Sequence, residues 1–347
     1  MAFSLEMFDP WSVLQDSQER RVDYVRFSVT DRCNFRCTYC MPEGGTAPGA
    51  RDALLTYEEI LRLARVFVGL GVSRIRITGG EPLVRRDLAS QLIRPLARIP
   101  GIREVAMTTN GHFLAADAAR LAEAGLTRIN VSLDTLDPDK FRRMSRGGDL
   151  RRVLAGLEAA REAGLGPIKI NVVVVRGVND GEDLSDLVEW ASEEDFIVRF
   201  IECMPIGPAL EWSPDQFVPI AEVRSRLEMR YAVTPVEGIV GGGPAGYVTL
   251  SSPTEGRRHA TVGFIAALTE NFCAQCNRVR VTSQGRLREC LSREGTMSLR
   301  DAMRGGATDE WLAREIQTAL GGKVDGHQFG SRDGHVAAEG AMSSIGG

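Results

Sequence analysis

The chain has 347 residues, of which 43% are hydrophobic and 25% charged, an ordinary composition for a globular protein. Its formal net charge of -4 gives no reason to expect a nucleic-acid partner. No apolar run approaches the ~18 residues that a membrane-spanning helix needs, and the N-terminus lacks the pattern of a secretory signal, so we expect a cytoplasmic protein without a membrane partner.

Short β-rich runs alternate with amphipathic helical segments along the first part of the chain. The helical segment 57–70 begins with the capping-box residues Thr56 and Glu59, and the segment 150–163 is followed by Gly164 as a C-cap. This alternation predicts repeated βα units with a parallel sheet. The β-rich runs are residues 24–29, 74–78, 104–109, 127–132, 168–175 and 196–202.

Six βα units predict an α/β fold, namely an open, partial (β/α)6 TIM-like barrel followed by a smaller C-terminal α+β region. We expect an N-terminal arm at residues 1–22, polar and partly mobile, the barrel at 23–205 and the C-terminal region at 206–347. From residue 321 onward, the abundance of Gly, Ser and His predicts disorder, except at the ending 342–347.

Three cysteines, Cys33, Cys37 and Cys40, form a C-x3-C-x2-C array directly after the first β-rich run. Thiolates select iron-sulfur clusters or zinc, and a 4Fe-4S cluster takes four cysteines when each iron has one. Three cysteines leave one iron open to a ligand that is not protein. This open position favours a cluster that takes part in a chemical reaction over one that only stores electrons. The alternatives are a zinc knuckle, or a cluster whose fourth ligand is Cys203.

Polar and glycine-rich signals follow the other β-rich runs, where a barrel of this type gathers its active site. They occur at residues 79–82, at 108–111, at Ser132 and Asp134, and at 202–205. Lys169 and Asn171 lie inside the fifth run and are expected to point into the barrel.

A second cysteine group contains Cys273, Cys276 and Cys290, and it again has one ligand fewer than a complete site. A zinc ribbon is the alternative, with His259 as the nearest preceding histidine. Strand alternation places Arg278 and Arg280 on one face of the segment after Cys276. Because arginine suits phosphate recognition, this pair predicts an anionic substrate beside the second group.

The first cysteine loop, with Tyr39 before its last cysteine, resembles the signature of the radical S-adenosylmethionine enzymes. The second cysteine group, its CNRxR continuation and the ending at residues 345–347 resemble one family among them, the GTP 3',8-cyclases of molybdenum cofactor biosynthesis. The resemblance runs from about residue 24 to 290 and resumes at the last residues. It is weak at residues 1–22 and 321–341.

The resemblance implies two 4Fe-4S clusters and S-adenosylmethionine as cofactors. The implied iron ligands are Cys33, Cys37, Cys40, Cys273, Cys276 and Cys290. The implied S-adenosylmethionine-binding residues are Tyr39, Gly80, Ser132 and Met204. The resemblance also implies GTP contacts at Arg26, Arg76, Thr108, Lys169, Arg199, Arg278 and Arg280, and a catalytic set of the first three cysteines with Arg26, Arg278 and Arg280. Arg74 stands where some relatives have lysine, and Cys203 is expected to be a buried thiol.

The implied reaction begins when an external flavodoxin- or ferredoxin-like donor reduces the first cluster. S-adenosylmethionine is then cleaved to methionine and a 5'-deoxyadenosyl radical, which removes the 3' hydrogen of GTP so that the ribose attacks C8. The cyclic product would pass to cyclic pyranopterin monophosphate synthase. We expect the second cluster to hold the guanine, Gly346 and Gly347 to insert into the site, and the chain to be a monomer or homodimer.

Two other functions are consistent with parts of the sequence. Another radical S-adenosylmethionine enzyme with an auxiliary cluster, such as a peptide-modifying one, would be expected to carry more C-terminal cysteines and no arginine pair. A non-catalytic zinc protein or electron carrier would not need the loop at residues 79–82 or a six-unit barrel.

Overall fold

The computed structural model describes residues 12–45, 49–206, 214–239, 243–252, 259–295, 297–327, 329 and 342–346. Six parallel strands form its centre, and they agree with the six predicted runs to within one residue at each end. The predicted α/β fold with a parallel sheet is therefore confirmed. The strands are β1 (Tyr24–Ser28), β2 (Arg74–Thr78), β3 (Glu104–Thr109), β4 (Arg128–Ser132), β5 (Lys169–Val174) and β6 (Ile197–Glu202).

Helices connect these strands and continue into the C-terminal part of the chain. Thr56 and Glu59 form the predicted capping box, in which the Thr56 side chain accepts from the Glu59 N–H at 3.2 Å. The helices are α1 (Tyr57–Gly69), α2 (Arg94–Ala97), α3 (Leu114–Glu123), α4 (Pro138–Ser145), α5 (Leu150–Glu162), α6 (Asp183–Glu193), α7 (Ile220–Glu228), α8 (Leu299–Arg304), α9 (Asp309–Gly321) and α10 (Met342–Ile345).

Alternation along each central strand separates the core from the interior of the barrel. In β2, Ile75 and Ile77 are completely buried in the hydrophobic core, whereas Arg76 lies on the opposite face. Burial of the apolar face against the helices stabilises the sheet by roughly 25 cal/mol per Å² removed from water. The polar side chains of the same strands are thereby directed into the barrel.

The C-terminal strands extend the same sheet at both of its edges. Strand β10 pairs in parallel with β1, and β9 pairs in parallel with β6. The order is β12-β11-β10-β1-β2-β3-β4-β5-β6-β9-β8-β7, so β1 is an internal strand. The C-terminal strands are β7 (Ala232–Val236), β8 (Gly246–Ser251), β9 (Ala260–Ile265), β10 (Arg278–Val281), β11 (Arg286–Arg288) and β12 (Met297–Ser298).

Both ends of the described chain pack on this sheet. Leu14 is completely buried and its N–H donates to the Leu70 carbonyl at 2.9 Å, although the sequence predicted a partly mobile arm. The disorder predicted from residue 321 is wrong for residues 321–327, where Lys323 is only 4% exposed. Residues 330–341 lie outside the described residues. Among the described helices, none is long and apolar enough to cross a membrane.

Glu202, at the end of β6, is completely buried and binds the C-terminal part of the chain. Its carboxylate accepts from the N–H groups of Ile220 at 3.0 Å, Leu268 at 2.7 Å and Thr269 at 3.1 Å. Because each buried N–H left unpaired costs about 1–3 kcal/mol, Glu202→Ala should lower the thermal unfolding midpoint by about 5 °C or more.

Glu228→Ala is the matched control, because Glu228 is exposed at the end of α7. We expect its thermal midpoint to stay within about 1 °C of that of the unmodified chain, as for most surface substitutions. Equal midpoints for the two variants would show that Glu202 does not anchor the C-terminal part.

Candidate functional site

The first cysteine group lines a cavity of about 200 Å³ at the carboxyl ends of the central strands. We call it the first cysteine pocket. All four residues that the sequence placed at S-adenosylmethionine also line it. Its wall includes Cys33, Cys37, Cys40, Tyr39, Gly79, Gly80, Thr108, Asn110, Ser132, Asn171, Ile201, Cys203, Met204 and Met342.

Gly80 is required by the close approach of two loops. A Cβ atom at this position would lie 2.3 Å from the carbonyl oxygen of Arg32, in the cysteine loop. The next residue, Glu81, donates its N–H to that carbonyl at 2.9 Å. Its buried carboxylate accepts from the Thr109 hydroxyl at 2.7 Å and the Asn110 N–H at 2.7 Å. The glycine loop therefore fixes the cysteine loop against β2 and β3.

The thiols of the first group are partly buried and lie close enough to affect one another's ionisation. Burial raises the pKa of Cys33 to about 11 and that of Cys40 to about 12. Burial, followed by the neighbouring Cys40, also raises the pKa of Cys37. Deprotonating three such thiols requires a compensating cation, which the irons of a cluster would supply.

Donors around the sulfurs fit an iron-sulfur cluster. The Asn110 amide donates to Cys33 Sγ at 3.7 Å, and the Phe35 N–H donates to the same sulfur at 3.4 Å. Hydrogen bonds of this kind orient and tune cluster thiolates. Cys203 is 2% exposed and lines the same pocket, as the buried thiol that the sequence predicted.

Tyr39 is held beside the first cysteine group by Asp134, which follows β4. Its hydroxyl donates to Asp134 Oδ2 at 2.8 Å, while Asp134 Oδ1 accepts the Val173 N–H at 2.9 Å. Burial raises the pKa of Asp134 to about 6, although these two donors oppose the shift. Asp134 thus links the aromatic residue of the cysteine loop to β5.

A second cavity, also of about 200 Å³, is lined by residues of the barrel strands and of the C-terminal part. We call it the basic cavity. All seven residues that the sequence assigned to GTP line it: Arg26, Arg76, Thr108, Lys169, Arg199, Arg278 and Arg280. All three cysteines of the second group, Cys273, Cys276 and Cys290, line it as well.

Strand register explains why side chains so distant in sequence meet. Arg26 on β1 is paired with Arg76 on β2 and with Arg280 on β10. Their side chains therefore lie on the same face of three adjacent strands. Lys169 and Asn171 on β5 line the cavity as predicted, and Asn171 is the register partner of Arg199.

Like charges crowd the basic cavity. Burial, and then Arg199, Arg128 and Arg76, lower the pKa of Lys169 to about 7. Burial and Arg278 lower the pKa of Arg280 to about 10. A bound polyanion would remove this repulsion, because each phosphate oxygen faces donors in a site from which water is largely excluded.

Neutral polar groups hold several of these cations in place. The Arg76 Nε donates to the Tyr24 hydroxyl, and the Lys169 Nζ donates to the Tyr247 hydroxyl at 2.8 Å. With its amide oxygen facing them, Asn130 accepts from Arg76 at 2.8 Å and Arg199 at 2.6 Å. The sequence analysis missed Tyr24, Asn130 and Tyr247, since nothing in their local sequence distinguishes them from ordinary strand residues.

The second cysteine group combines thiols with cations. Burial raises the pKa of the Cys276 thiol, but Arg278 and Lys323 outweigh burial and lower it to about 7. The Arg278 guanidinium also lies 5.0 Å from the centre of the Phe272 ring. A thiol that ionises readily is a suitable ligand for iron, which binds the thiolate form.

The structure does not support His259 as a fourth ligand of the second group. The His259 Nδ1 lies 2.9 Å from the hydroxyl of Ser251, the last residue of β8. His327 lies at the basic cavity instead, and neither of its ring nitrogens has a hydrogen-bond partner within the described ranges. The sequence analysis missed His327 because it treated the segment around it as disordered.

The cysteine groups fit clusters with several irons better than a single zinc ion. Zinc gathers its ligands within ~2.0–2.3 Å of one point. In the part of the chain that the structure describes, no three Cys, His, Asp or Glu side chains are placed to hold one metal ion. The thiols of each group line the wall of one cavity, where each could bind a different iron of one cluster.

The two cavities adjoin one another. Thr108, Asn171, Ile201, Met204 and Met342 line both of them. A reactive species formed beside the first cysteine group would therefore need to cross only this wall to reach a molecule in the basic cavity.

The last described residue, Gly346, lies against strands β1, β2 and β10. The carbonyl oxygen of Gly346 accepts from the Arg280 guanidinium at 2.5 Å. A Cβ atom on Gly346 would lie 2.4 Å from Thr78 Oγ1, and its φ of +76° also favours glycine. Gly347 lies outside the described residues.

Arg74 does not line the basic cavity. Its guanidinium forms two hydrogen bonds of 2.7 Å with the Asp23 carboxylate, which also accepts from the Asn277 amide at 2.9 Å. Through Asp23, Arg74 thus links the start of β2 to Asn277, which lies between Cys276 and β10.

Family profiles match most of the chain in two consecutive parts. The profile of the radical SAM superfamily matches residues 27–191, and the profile described as Molybdenum Cofactor Synthesis C matches residues 196–329.

Named relatives match nearly the whole chain. It is 44% identical to a GTP 3',8-cyclase of Moorella thermoacetica, over 96% of this chain and 100% of the relative. It is 47% identical to a GTP 3',8-cyclase of Rhodopseudomonas palustris, over 91% of this chain and 90% of the relative. Among solved structures, Streptococcus suis SuiB bound to the precursor peptide SuiA matches with a TM-score of 0.60 and 15% identity, over 83% of this chain and 67% of SuiB. That likeness concerns the fold alone.

The pKa of Lys169 makes polyanion binding dependent on pH. Since this pKa is about 7, the amine is charged below pH 7 and becomes neutral above it. The affinity for inorganic triphosphate, measured by calorimetry, should fall by about tenfold between pH 6 and pH 8 relative to that of Lys169→Arg, which stays charged throughout.

Lys140→Arg is the matched control, because Lys140 pairs with Asp183 away from the basic cavity. Its affinity should follow the unmodified chain at every pH. Identical pH profiles for the unmodified chain and Lys169→Arg would show that Lys169 does not titrate at this site.

Proposed function

The chain belongs to the family of GTP 3',8-cyclases within the radical S-adenosylmethionine superfamily, and on this basis we propose a role in the reaction for each group of site residues. It converts GTP to (8S)-3',8-cyclo-7,8-dihydroguanosine 5'-triphosphate in molybdenum cofactor biosynthesis. The observation that carries the assignment of roles is the shared wall between the first cysteine pocket and the basic cavity.

Cys33, Cys37 and Cys40 would hold the first 4Fe-4S cluster, and the buried sulfurs with their N–H donors fit that role. When bound, this cluster would supply the electron for reductive cleavage of S-adenosylmethionine, the source of the radical that would abstract the 3' hydrogen of GTP. Gly80 with its backbone, and Ser132 and Met204 with their side chains, would contact S-adenosylmethionine in this pocket. Tyr39, fixed by Asp134, would close the pocket beside it.

The cations of the basic cavity would bind the triphosphate and orient the nucleotide. Arg26, Arg76 and Arg280 lie side by side on adjacent strands, and Lys169 and Arg199 face them from β5 and β6. Together they would hold the ribose toward the wall shared with the first cysteine pocket. Thr108 forms part of that wall and accepts from Arg76 at 3.3 Å.

Cys273, Cys276 and Cys290 would hold the second 4Fe-4S cluster, whose fourth iron position is left for the guanine. Arg278, placed over the Phe272 ring, would fix the base from the side. Holding the base and the ribose at once restricts the nucleotide to conformers in which C8 faces C3', and restriction of this kind contributes strongly to rate.

Partners and location follow from the same proposal. A flavodoxin- or ferredoxin-like protein would deliver the electron, and cyclic pyranopterin monophosphate synthase would receive the product in the cytoplasm.

The test is anaerobic reconstitution with iron and sulfide, followed by dithionite, S-adenosylmethionine and GTP. About eight irons per chain, as two 4Fe-4S clusters require, and cyclic product formed with 5'-deoxyadenosine would support the proposal. Cleavage of S-adenosylmethionine with GTP intact would overturn the roles given to the basic cavity. Zinc in both cysteine groups, without cleavage, would overturn the roles of the cysteines.

The end of the chain gives a sharper prediction. Gly346→Ala places a methyl group against Thr78 and should reduce turnover by about a hundredfold, because small displacements near a reacting centre have effects of that size. Removal of residues 346 and 347 should act similarly, while the iron content stays unchanged.

Gly181→Ala is the control, since a Cβ there meets nothing within 4 Å and the backbone φ is not positive. We expect it to keep full turnover in the same assay. Full activity in the truncated chain would show that the tail takes no part in the reaction.

A further inference from the structure

Two buried cations hold the loop that carries the second cysteine group. Arg20 Nη1 donates to the carbonyl oxygen of Cys273 at 2.6 Å. Lys323 Nζ donates to the carbonyl oxygen of Cys276 at 3.2 Å and to that of Arg278 at 2.9 Å. Both ends of the C-x2-C turn are therefore fixed by cations, one from the N-terminal segment and one from the segment after α9.

Asp16 joins these cations into one network. Its Oδ2 accepts from Arg20 Nε at 2.7 Å and lies 3.9 Å from Lys323 Nζ. The side chains of Asp16, Arg20 and Lys323 are 0%, 9% and 2% exposed. The Ser17 hydroxyl also donates to the Lys323 carbonyl at 3.0 Å, which ties the two segments together.

The charges of this network do not cancel. Arg20 and Lys323 contribute two positive charges and Asp16 one negative charge, which leaves a net charge of +1 beside the cysteine loop. Buried charges are costly unless they are paired and hydrogen-bonded. Here both cations direct donors at backbone carbonyls of the cysteines, so their field acts where a cluster would sit.

We propose that Asp16, Arg20 and Lys323 form a charged clamp that positions the second cysteine group and makes the cluster held there easier to reduce. The proposal rests on the proposed function, in which Cys273, Cys276 and Cys290 bind a 4Fe-4S cluster. Thiolate ligands give such a cluster negative charge, and reduction adds one electron more. A buried positive charge nearby stabilises the reduced form, because little water intervenes to screen it. The clamp contacts carbonyl groups of the cysteine loop, and Lys323 also contacts the Cys276 thiol, so we regard it as a positioning element.

The test isolates the second cluster in a full-length chain in which Cys33, Cys37 and Cys40 are all replaced by Ala. In this background, Lys323→Met and Arg20→Gln each remove one positive charge, and Lys323→Arg keeps it. The midpoint potential of the second cluster is measured by a redox titration followed by electron paramagnetic resonance, together with iron content and thermal unfolding midpoint. Lys140→Met removes a lysine paired with Asp183 elsewhere and serves as the control.

We expect Lys323→Met and Arg20→Gln to shift the midpoint potential of the second cluster to more negative values, while Lys323→Arg and Lys140→Met leave it unchanged. Loss of the second cluster's iron in Lys323→Met, restored in Lys323→Arg, would equally support a clamp. Unchanged potential and iron content in both charge-removing variants would overturn the proposal. A fall in thermal midpoint equal in Lys323→Met and Lys323→Arg, without a shift in potential, would also overturn it.

These readouts need no turnover. If the unmodified chain fails to cyclise GTP while the variants show the shifts, the proposed function is contradicted and the clamp remains supported. Restoring Cys33, Cys37 and Cys40 then tests whether the clamp affects the first cluster, whose iron content should be the same in all variants. A parent chain whose second cysteine group binds no redox-active cluster would overturn both.

Discussion

Concentrated positive charge in the barrel interior is the constraint on which the rest of the structure depends. Arg26, Arg76 and Arg280 lie on the adjacent strands β1, β2 and β10, and Lys169 and Arg199 lie on the paired strands β5 and β6. Burial of so many cations is tolerated only where neutral acceptors or anions compensate them. Tyr24, Asn130 and Tyr247 provide part of that compensation in the chain itself. Under the proposed function, the triphosphate of GTP would add further compensation, so the same buried cations would both oppose folding and bind the substrate.

Strand pairing between the two ends of the chain creates this arrangement. Because β10 is paired with β1, the second cysteine group reaches the same cavity as the arginines of the central strands. The Arg20, Asp16 and Lys323 clamp reinforces the pairing from outside, where the first and last parts of the described chain meet the C-x2-C turn. The barrel and the C-terminal part therefore form a single site, although separate family profiles match them.

Local sequence patterns were sufficient to predict the central strands, the capping box at Thr56 and the placement of Arg278 and Arg280 on one face. These features depend on periodicity and spacing, which a sequence displays directly. The burial of Lys323 and the position of His327 could not be predicted in this way. Both residues lie in a glycine-rich segment, and only the long-range contacts with Arg20, Cys273 and Cys276 give that segment its place. Composition predicts whether a segment would be ordered in isolation, whereas the order of this segment depends on its tertiary contacts.

The internal position of β1 has a consequence for synthesis of the chain. Its neighbour β10 begins at Arg278, 250 residues after β1 ends at Ser28 (278 − 28 = 250). At roughly 5–20 residues per second, a ribosome needs about 12 to 50 seconds to make the intervening stretch. During that time one edge of β1 has no native partner, and an unpaired strand edge is a template for association with other chains. Crowded ribosomes on one message would thus favour aggregation through β1, and a holdase that covers this edge until β10 emerges would raise the yield of native protein.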